Sequence, residues 1–166
     1  CLCNSFEASN LSYTDGIRKK RGQLSLIHSN KDLSKLQTPL CAYGYISPLI
    51  NGYHILGATY SNNLDINSSS TDTIENLKIL ESLFPNSKPE YKLKTEKVGF
   101  RATTPDHLPI AGKNNDFYFN IGHGSRGSTS APFCSEYIAD LINGSPHPMD
   151  YEMVKAISWD RFNLKN

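Results

Sequence analysis

The sequence predicts an α+β chain. It reads as an antiparallel sheet carrying one helix, followed by a C-terminal strand-loop-helix piece of α/β character. Three observations predict this. Two β-rich runs, Leu40 to Ile50 and Tyr53 to Tyr60, flank Asn51-Gly52, and that dipeptide suits the positive φ angles of a two-residue type I′ turn. Gln23 to His28 and Tyr91 to Ala102 alternate apolar and polar residues on either side of one helical segment. Further on, a short apolar run from Asp116 to Ile121 leads through Gly122-His-Gly-Ser-Arg-Gly-Ser-Thr-Ser130 into an amphipathic stretch.

Residues Asn4 to Arg21 are polar and poorly periodic, so they read as connection and loop. The alternation of Leu24 and Leu26 with Ser25 predicts a strand ending in the polar Ser29-Asn30-Lys31. Asn62 to Ser70 is loop. Thr71-Asp72-Thr73-Ile74-Glu75 opens a helix, with Asp72 placed to cap its amides and Glu75 favoured by the positive end of the dipole. Ile74, Leu77, Ile79, Leu80, Leu83 and Phe84 give it an apolar face, and Pro85 stops it. In the strand from Tyr91 to Ala102, Lys92, Lys94 and Lys97 predict a solvated face. The last helix is expected from about Ala131 to Asn143, with Pro132 in its first turn, Gly144 as C-terminal cap and Pro146 beyond. A composition shift near Pro109 to Gly112 marks a domain crossing. The divisions expected are 1–21, 22–108 and 109–166.

Composition excludes several classes. The 166 residues are 38% hydrophobic and 20% charged, which suits a folded chain rather than a disordered one. Seventeen Lys and Arg against 16 Asp and Glu leave a net charge of +1, so global charge points to neither nucleic acid nor membrane. No apolar run approaches the roughly 20 residues of a membrane span. The four cysteines, Cys1, Cys3, Cys41 and Cys134, offer one C-x-C pair and no second pair to complete a metal site. They read as reduced thiols of a cytoplasmic protein, and the glycosylation-like tripeptides at Asn10, Asn67 and Asn143 as chance. The chain starts with Cys1 rather than Met, and Cys-Leu-Cys-Asn reads as the end of a buried strand cut from a longer chain.

Gly122-x-Gly124-x-x-Gly127 fits a dinucleotide fingerprint in form. The rest of that motif is missing, because no second strand ending in Asp or Glu follows the helix. Simpler physics survives: small residues permit close backbone approach, and free amides at a helix start favour negative charge. A tight turn without a ligand is the alternative, and Arg126 reads either as a ligand contact or as a solvated side chain.

Further blocks stand in a fixed order. They are Lys20-Arg21-Gly22-Gln23-Leu24-Ser25; Gly44-Tyr45-Ile46-Ser47-Pro48; Gly52-Tyr-His-Ile-Leu-Gly-Ala-Thr59; Val98-Gly-Phe-Arg101 through Asp106-His-Leu-Pro-Ile-Ala-Gly112; and the glycine-rich loop through Pro132. In that order they resemble the C-terminal half of FAD-dependent oxidoreductases of the D-amino-acid oxidase and glycine oxidase type. The loop and the late Asp160-Arg161-Phe162 are similar to the oxidoreductase part of bifunctional enzymes that modify the wobble uridine of tRNA.

The resemblance implies FAD as cofactor and tRNA as substrate, with no metal. Arg101 would hold a substrate carboxylate, where its planar fork fits bidentately; a strand-end ion pair with a residue such as Asp106 is the structural alternative. Gly122, His123, Gly124, Ser125, Arg126, Gly127 and Ser128 would lie against the flavin ring, and Gly112 near the cofactor. Tyr45 and Arg126 are further substrate-pocket candidates, Tyr45 otherwise being a packed core residue. His123 would polarise a reacting group or simply pack. Residues 1–21 and 109–166 would belong to an FAD-binding domain, and 22–108 to a substrate-binding domain. The remainder of the FAD-binding half, in cis, is expected outside this chain, as is a methyltransferase part using S-adenosylmethionine. The isolated chain is therefore expected not to bind FAD tightly; sub-micromolar flavin quenching on titration would contradict that.

The reaction implied removes the carboxymethyl group from carboxymethylaminomethyl-uridine by oxidation. The alternatives are oxidation of a small amine such as glycine or sarcosine, and a non-catalytic binding module. Arg18-Lys19-Lys20-Arg21 with Lys92, Lys94 and Lys97 would supply either a local tRNA-phosphate surface or merely solvated charge.

Overall fold

The computed structural model describes residues 1–11, 16–85 and 90–162. Residues 12–15 of the expected N-terminal connection, and 163–166 of the expected last domain, lie outside the described residues. The chain divides into two compact units, Cys1–Lys20 with Arg101–Asn166, and Arg21–Phe100. The composition shift at Pro109 to Gly112 falls inside the first of these.

The Arg21–Phe100 unit is built on an antiparallel sheet. Its strands are β1 (Arg18–His28), β2 (Leu40–Cys41), β3 (Tyr45–Ile46), β4 (Tyr53–Gly57) and β5 (Leu93–Thr103), in the order β2-β3-β4-β1-β5. The Asn51-Gly52 turn forms as expected. Both residues take positive φ, 51° and 84°, and Ile50 and Tyr53 exchange backbone hydrogen bonds of 2.8 and 3.0 Å. The β3–β4 pairing is offset by one residue from the Ile50–Tyr53 pair that closes this turn: Ile46 pairs with Leu56, and Leu56 with Ser25 on the other side. Ile27, Ile46 and Leu56 thus share a face with Leu33, and helix α1 (Ser70–Leu83) covers it with Ile79 and Leu80. Each such buried aliphatic side chain contributes about 1.5–3 kcal/mol.

Three expectations are corrected here. The segment expected as loop up to Arg21 holds a 3₁₀ turn, Ser5–Leu11, and strand β1 already starts at Arg18. Asp72 does not cap α1. It pairs with the buried guanidinium of Arg21, because an unpaired buried cation would be far more unfavourable than an uncapped helix end. Ile74 lies on the exposed side of α1, while Thr73 and Asn76 occupy the buried side through hydrogen bonds to β1.

The Cys1–Lys20 with Arg101–Asn166 unit centres on a hairpin of β6 (Ile110–Asn114) and β7 (Phe117–Ile121). Strand β6 was not foreseen, and β7 pairs with it antiparallel. Leu2 adds a parallel bridge to Phe119, its amide donating to the Tyr118 carbonyl at 2.7 Å. Strand alternation sends Ile110, Phe119 and Ile121 to one face, where they meet Ala8, Ile17 and Ala102. Ala111 and Tyr118 point to the other, against Cys134, Tyr137 and Ile138 of α2 (Gly127–Asn143) and Ile157 of α3 (Tyr151–Ile157). Burial raises the pKa of the Cys134 thiol, which fits a packing role.

Helix α2 starts four residues before the expected Ala131, so Pro132 sits beyond its first turn. Gly127, Ser128 and Ser130 are weak helix formers, and the local sequence hides the start. Gly144 closes the helix in the left-handed conformation at φ 67°, as expected.

Candidate functional site

The glycine-rich segment is a compact joint between β7 and α2. Gly122 turns at φ 76° and Gly124 at φ 57°, with a 3₁₀ turn over Gly124–Arg126. His123 forms an antiparallel bridge with Thr103 at the end of β5. A Cβ added to Gly124 would sit 3.3 Å from Thr103 Oγ1, and one added to Gly122 3.1 Å from Thr104 Cγ2. Glycine is thus required twice, by φ and by the closeness of β5. Gly124→Ala should destabilise the protein by about 1–3 kcal/mol and loosen this joint. Thermal unfolding checks it, and an unchanged melting temperature would mean that Thr103 yields freely.

That bridge decides where Arg101 lies. Residues two apart on a strand share a face, so Arg101 and Thr103 project to the same side of β5, roughly 7 Å apart along the strand. Thr103 packs on Gly124, so Arg101 stands beside the glycine-rich joint. Arg101 is half-buried. Asp106 is not its partner: Asp106 is taken by Arg161, with Nε donating to Asp106 Oδ2 at 2.8 Å and Nη2 to Oδ1 at 3.1 Å.

The Asp106–Arg161 pair fastens the turn between β5 and β6. Asp106 also accepts from the Leu108 amide at 3.0 Å, and Arg161 Nη2 donates to the Leu108 carbonyl at 2.8 Å. Partial burial works to raise the Asp106 pKa, but the Arg161, Leu108 and Thr104 hydrogen bonds outweigh it and hold it at about 2. A carboxylate with a depressed pKa stabilises the fold above its unfolded value and ceases to as pH falls through its folded one. This contribution should be complete above about pH 4 and vanish toward pH 2. An Asp106→Asn variant should lack that limb of the acid-unfolding curve; an identical limb would exclude the pair as its source.

His123 has both ring nitrogens engaged. Asn120 donates through Nδ2 to Ser135 Oγ at 2.8 Å, leaving Oδ1 as the acceptor for His123 Nε2–H at 2.9 Å. His123 Nδ1 faces Ser130 Oγ at 2.9 Å, and Ser130 also reaches the Arg126 carbonyl at 3.0 Å. Burial lowers the imidazole pKa, with a hydrogen bond to the Asn120 backbone working against it, which favours the neutral ring. The side chain therefore latches β7 to α2, and what His123 offers outward is backbone. Asn120, Ser130 and Thr103 were not singled out from sequence. The spacing Asn120-x-x-His123 before a helix start was the available signal, but their roles appear only once the strand and helix are joined.

Ser125, Arg126 and Ser128 are exposed, while Gly127 opens α2. Neither Arg126 before α2 nor His123 before the 3₁₀ turn makes a side-chain cap, and no acidic residue occupies the first turn of α2. The first amides of a helix have no intrahelical acceptor, and the dipole adds positive potential there. An electron-rich carbonyl edge of a flavin ring fits this donor set. Gly112, in β6 at φ 136°, is buried with Tyr137 about 4 Å from any added Cβ. Tyr45, in the Arg21–Phe100 unit, is half-buried on β3, opposite Cys41 and Gly57. Arg21 does not belong to a basic surface. It is 1% exposed and committed to Asp72, and of the run it ends only Arg18 is exposed, Lys19 and Lys20 being half-buried. Among the described residues no cluster of three metal-ligating side chains occurs, and no helix is long and apolar enough to cross a membrane.

The chain is 32% identical over 90% of its length to the tRNA 5-methylaminomethyl-2-thiouridine biosynthesis bifunctional protein MnmC of Chromobacterium violaceum, covering 28% of it. It is 36% identical over 88% of its length to the protein of that name from Idiomarina loihiensis, covering 25%. The chain thus spans about a quarter of these curated relatives. Glycine oxidase from Geobacillus kaustophilus superposes with a TM-score of 0.77 at 21% identity, covering 93% of this chain and 42% of that one. Iminodiacetate oxidase from Chelativorans sp. BNC1 does so at 0.76 and 18% identity, covering 93% and 43%. The family described as FAD dependent oxidoreductase matches residues 4–141. On that match, with relatives above 30% identity and the same fold in flavoenzymes, the chain belongs to the FAD dependent oxidoreductase family, and FAD is the cofactor its membership implies.

Proposed function

We propose that the protein carrying this chain oxidises the carboxymethylaminomethyl group of a tRNA wobble uridine, releasing the carboxymethyl arm. The reading rests on one observation above the others, the Thr103–His123 bridge that brings Arg101 beside the amide-rich start of α2. The curated relatives are named for biosynthesis of the related methylaminomethyl-thiouridine, which supports the tRNA substrate.

In this proposal Arg101 grips the substrate carboxylate with its guanidinium fork and so fixes the adjoining C–N bond. The backbone of Gly122 to Gly127 lies against the flavin, and the start of α2 steadies negative charge on the ring edge. Ser125, Arg126 and Ser128 line the exposed rim, Arg126 as a second contact for the carboxylate. Gly112 lies near the cofactor, and Tyr45 is a further substrate-contact candidate. When bound, FAD supplies a hydride acceptor for the carbon beside nitrogen, and the imine left on the substrate hydrolyses to glyoxylate and an aminomethyl uridine. The chain need supply no strong acid or base, in keeping with the neutral, internally bonded His123.

We further propose that 1–21 and 109–166 are parts of the FAD-binding domain and 22–108 the substrate-binding domain. The test is glyoxylate release by the FAD-loaded protein from tRNA bearing carboxymethylaminomethyl-uridine, set beside glycine and sarcosine. Release from tRNA alone supports the proposal. Turnover of glycine with inert tRNA would replace it by the small-amine reading.

A further inference from the structure

Leu2 fixes the placement of the two thiols on either side of it. Its amide donates to the Tyr118 carbonyl at 2.7 Å and its carbonyl accepts from the Asn120 amide at 3.0 Å, so the residue lies along β7 in parallel register with Phe119. Its side chain packs against the cluster that holds Ala8, Ile110, Phe119 and Ile121. Strand alternation then sends Cys1 and Cys3 together to the opposite face. Their sulfurs stand 3.6 Å apart, and both residues are exposed. The other cysteines differ. Cys134 is 2% exposed, and Cys41, on β2, belongs to the Arg21–Phe100 unit.

Two residues of extended chain span about 6.6 Å between Cα atoms, at the upper end of the roughly 4.4–6.8 Å that a disulfide bridges. A Cys1–Cys3 bond is therefore within reach by side-chain rotation and a slight puckering at Leu2. A disulfide at the limit of its span, on an exposed segment, is readily reduced, so the pair suits cycling rather than a permanent staple. Leu2 also links the pair to the glycine-rich joint. Its carbonyl holds the Asn120 amide, and Asn120 Oδ1 accepts from His123 Nε2 at 2.9 Å.

We propose that Cys1 and Cys3 form a reversible dithiol–disulfide site that exchanges with low-molecular-weight disulfides, and that its oxidation loosens the Leu2–Asn120 hydrogen bond. The thiolate of one cysteine attacks the small disulfide; a mixed S–S bond forms, the small S–S bond breaks, and one small thiolate leaves. The second cysteine, its proton given up to water, attacks the protein sulfur of that mixed disulfide, closes the Cys1–Cys3 bond and expels the second small thiolate. The protein loses two electrons and two protons, and the small disulfide becomes two thiols. The site needs neither flavin nor amine substrate, so it goes beyond the oxidation proposed above.

The test places the FAD-loaded protein in mixtures of reduced and oxidised glutathione, stops exchange with an alkylating reagent and weighs the peptide carrying Cys1 and Cys3. At oxidising ratios this peptide should be two hydrogens lighter than the dithiol, free of glutathione and of alkyl groups, and dithiothreitol should return both thiols. Exposed Cys41 is the internal control and should carry glutathione at most. Cys3→Ser should strand glutathione on Cys1, raising its occupancy of the peptide by roughly tenfold or more over the parent, because the neighbouring thiol that expels it is gone. Hydrogen exchange of the Asn120 amide should be faster in the oxidised parent and indifferent to the glutathione ratio in Cys3→Ser. Glutathione retained on the parent peptide, both thiols alkylated at a ratio that modifies Cys41, or an Asn120 amide that exchanges equally in both states would overturn the proposal. No turnover enters the readout, so failure here leaves the oxidase reading standing, and inert tRNA in the glyoxylate assay leaves this one standing.

Discussion

Replacing Arg101 by Leu in the FAD-loaded protein should lower kcat/KM for a carboxylate-bearing amine by roughly 10- to 150-fold. That range is the 1.5–3 kcal/mol of a hydrogen bond to a charged group, converted at about 1.4 kcal/mol per decade. The loss should fall mainly on KM if the carboxylate is held equally before and during hydride loss, and on kcat as well if the grip sets the C–N bond in line. Arg101→Lys keeps the charge but not the fork, and should lie between the two. A substrate amide lacking the carboxylate should not distinguish the variants. Steady-state kinetics on both substrates decide it. Equal losses for acid and amide would place Arg101 in the fold rather than at the substrate.

Arg21→Met should be the most destabilising single change in the Arg21–Phe100 unit, by about 3–5 kcal/mol. The side chain carries more than its ion pair with Asp72. Nε donates to the Asp65 carbonyl at 2.7 Å, and Nη2 donates to the Asn67 carbonyl at 2.6 Å and to Gln23 Oε1 at 3.2 Å. Gln23 Oε1 in turn accepts from the Ser69 amide at 2.7 Å, so one buried fork fixes the path of residues 65–69 into α1. Removing it strands Asp72 and two carbonyls together. Melting temperature should drop by roughly 6–20 °C, and residues 62–69 should become the first site of proteolysis. Asp72→Leu added to Arg21→Met should recover part of the loss. A drop of less than about 2 °C would show that water replaces the guanidinium at little cost.

What could be read from the sequence was local. Asn51-Gly52 announces its turn because two adjacent residues determine it, but the one-residue offset between that turn and the β3–β4 pairing was not legible. Pro85 and Gly144 mark helix ends by the same logic. Arg21 was legible as a cation but not as a buried one, since Asp65, Asn67 and Asp72, which bind its guanidinium, lie more than 40 residues away. The partner of Asp106 was illegible for the same reason: Arg161, 55 residues on, takes it, where Arg101 had been offered as one alternative. Strand β6 was missed because Ile110-Ala-Gly-Lys-Asn114 has little strand propensity, and pairing with β7 is what makes it a strand. At the candidate site, the glycines were visible as permission for close approach. What they approach, Thr103 and Thr104, was not, and neither was the internal engagement of His123 by Asn120 and Ser130.

The central claim is that Arg101 and the start of α2 serve one ligand beside one flavin. The most direct measurement is a titration of the FAD-loaded protein with an unreactive small carboxylate such as methoxyacetate, followed by the visible absorbance of the flavin. The account predicts a saturable spectral shift in the parent protein that disappears in Arg101→Leu while the flavin stays bound. A shift of the same size and affinity in Arg101→Leu would contradict it.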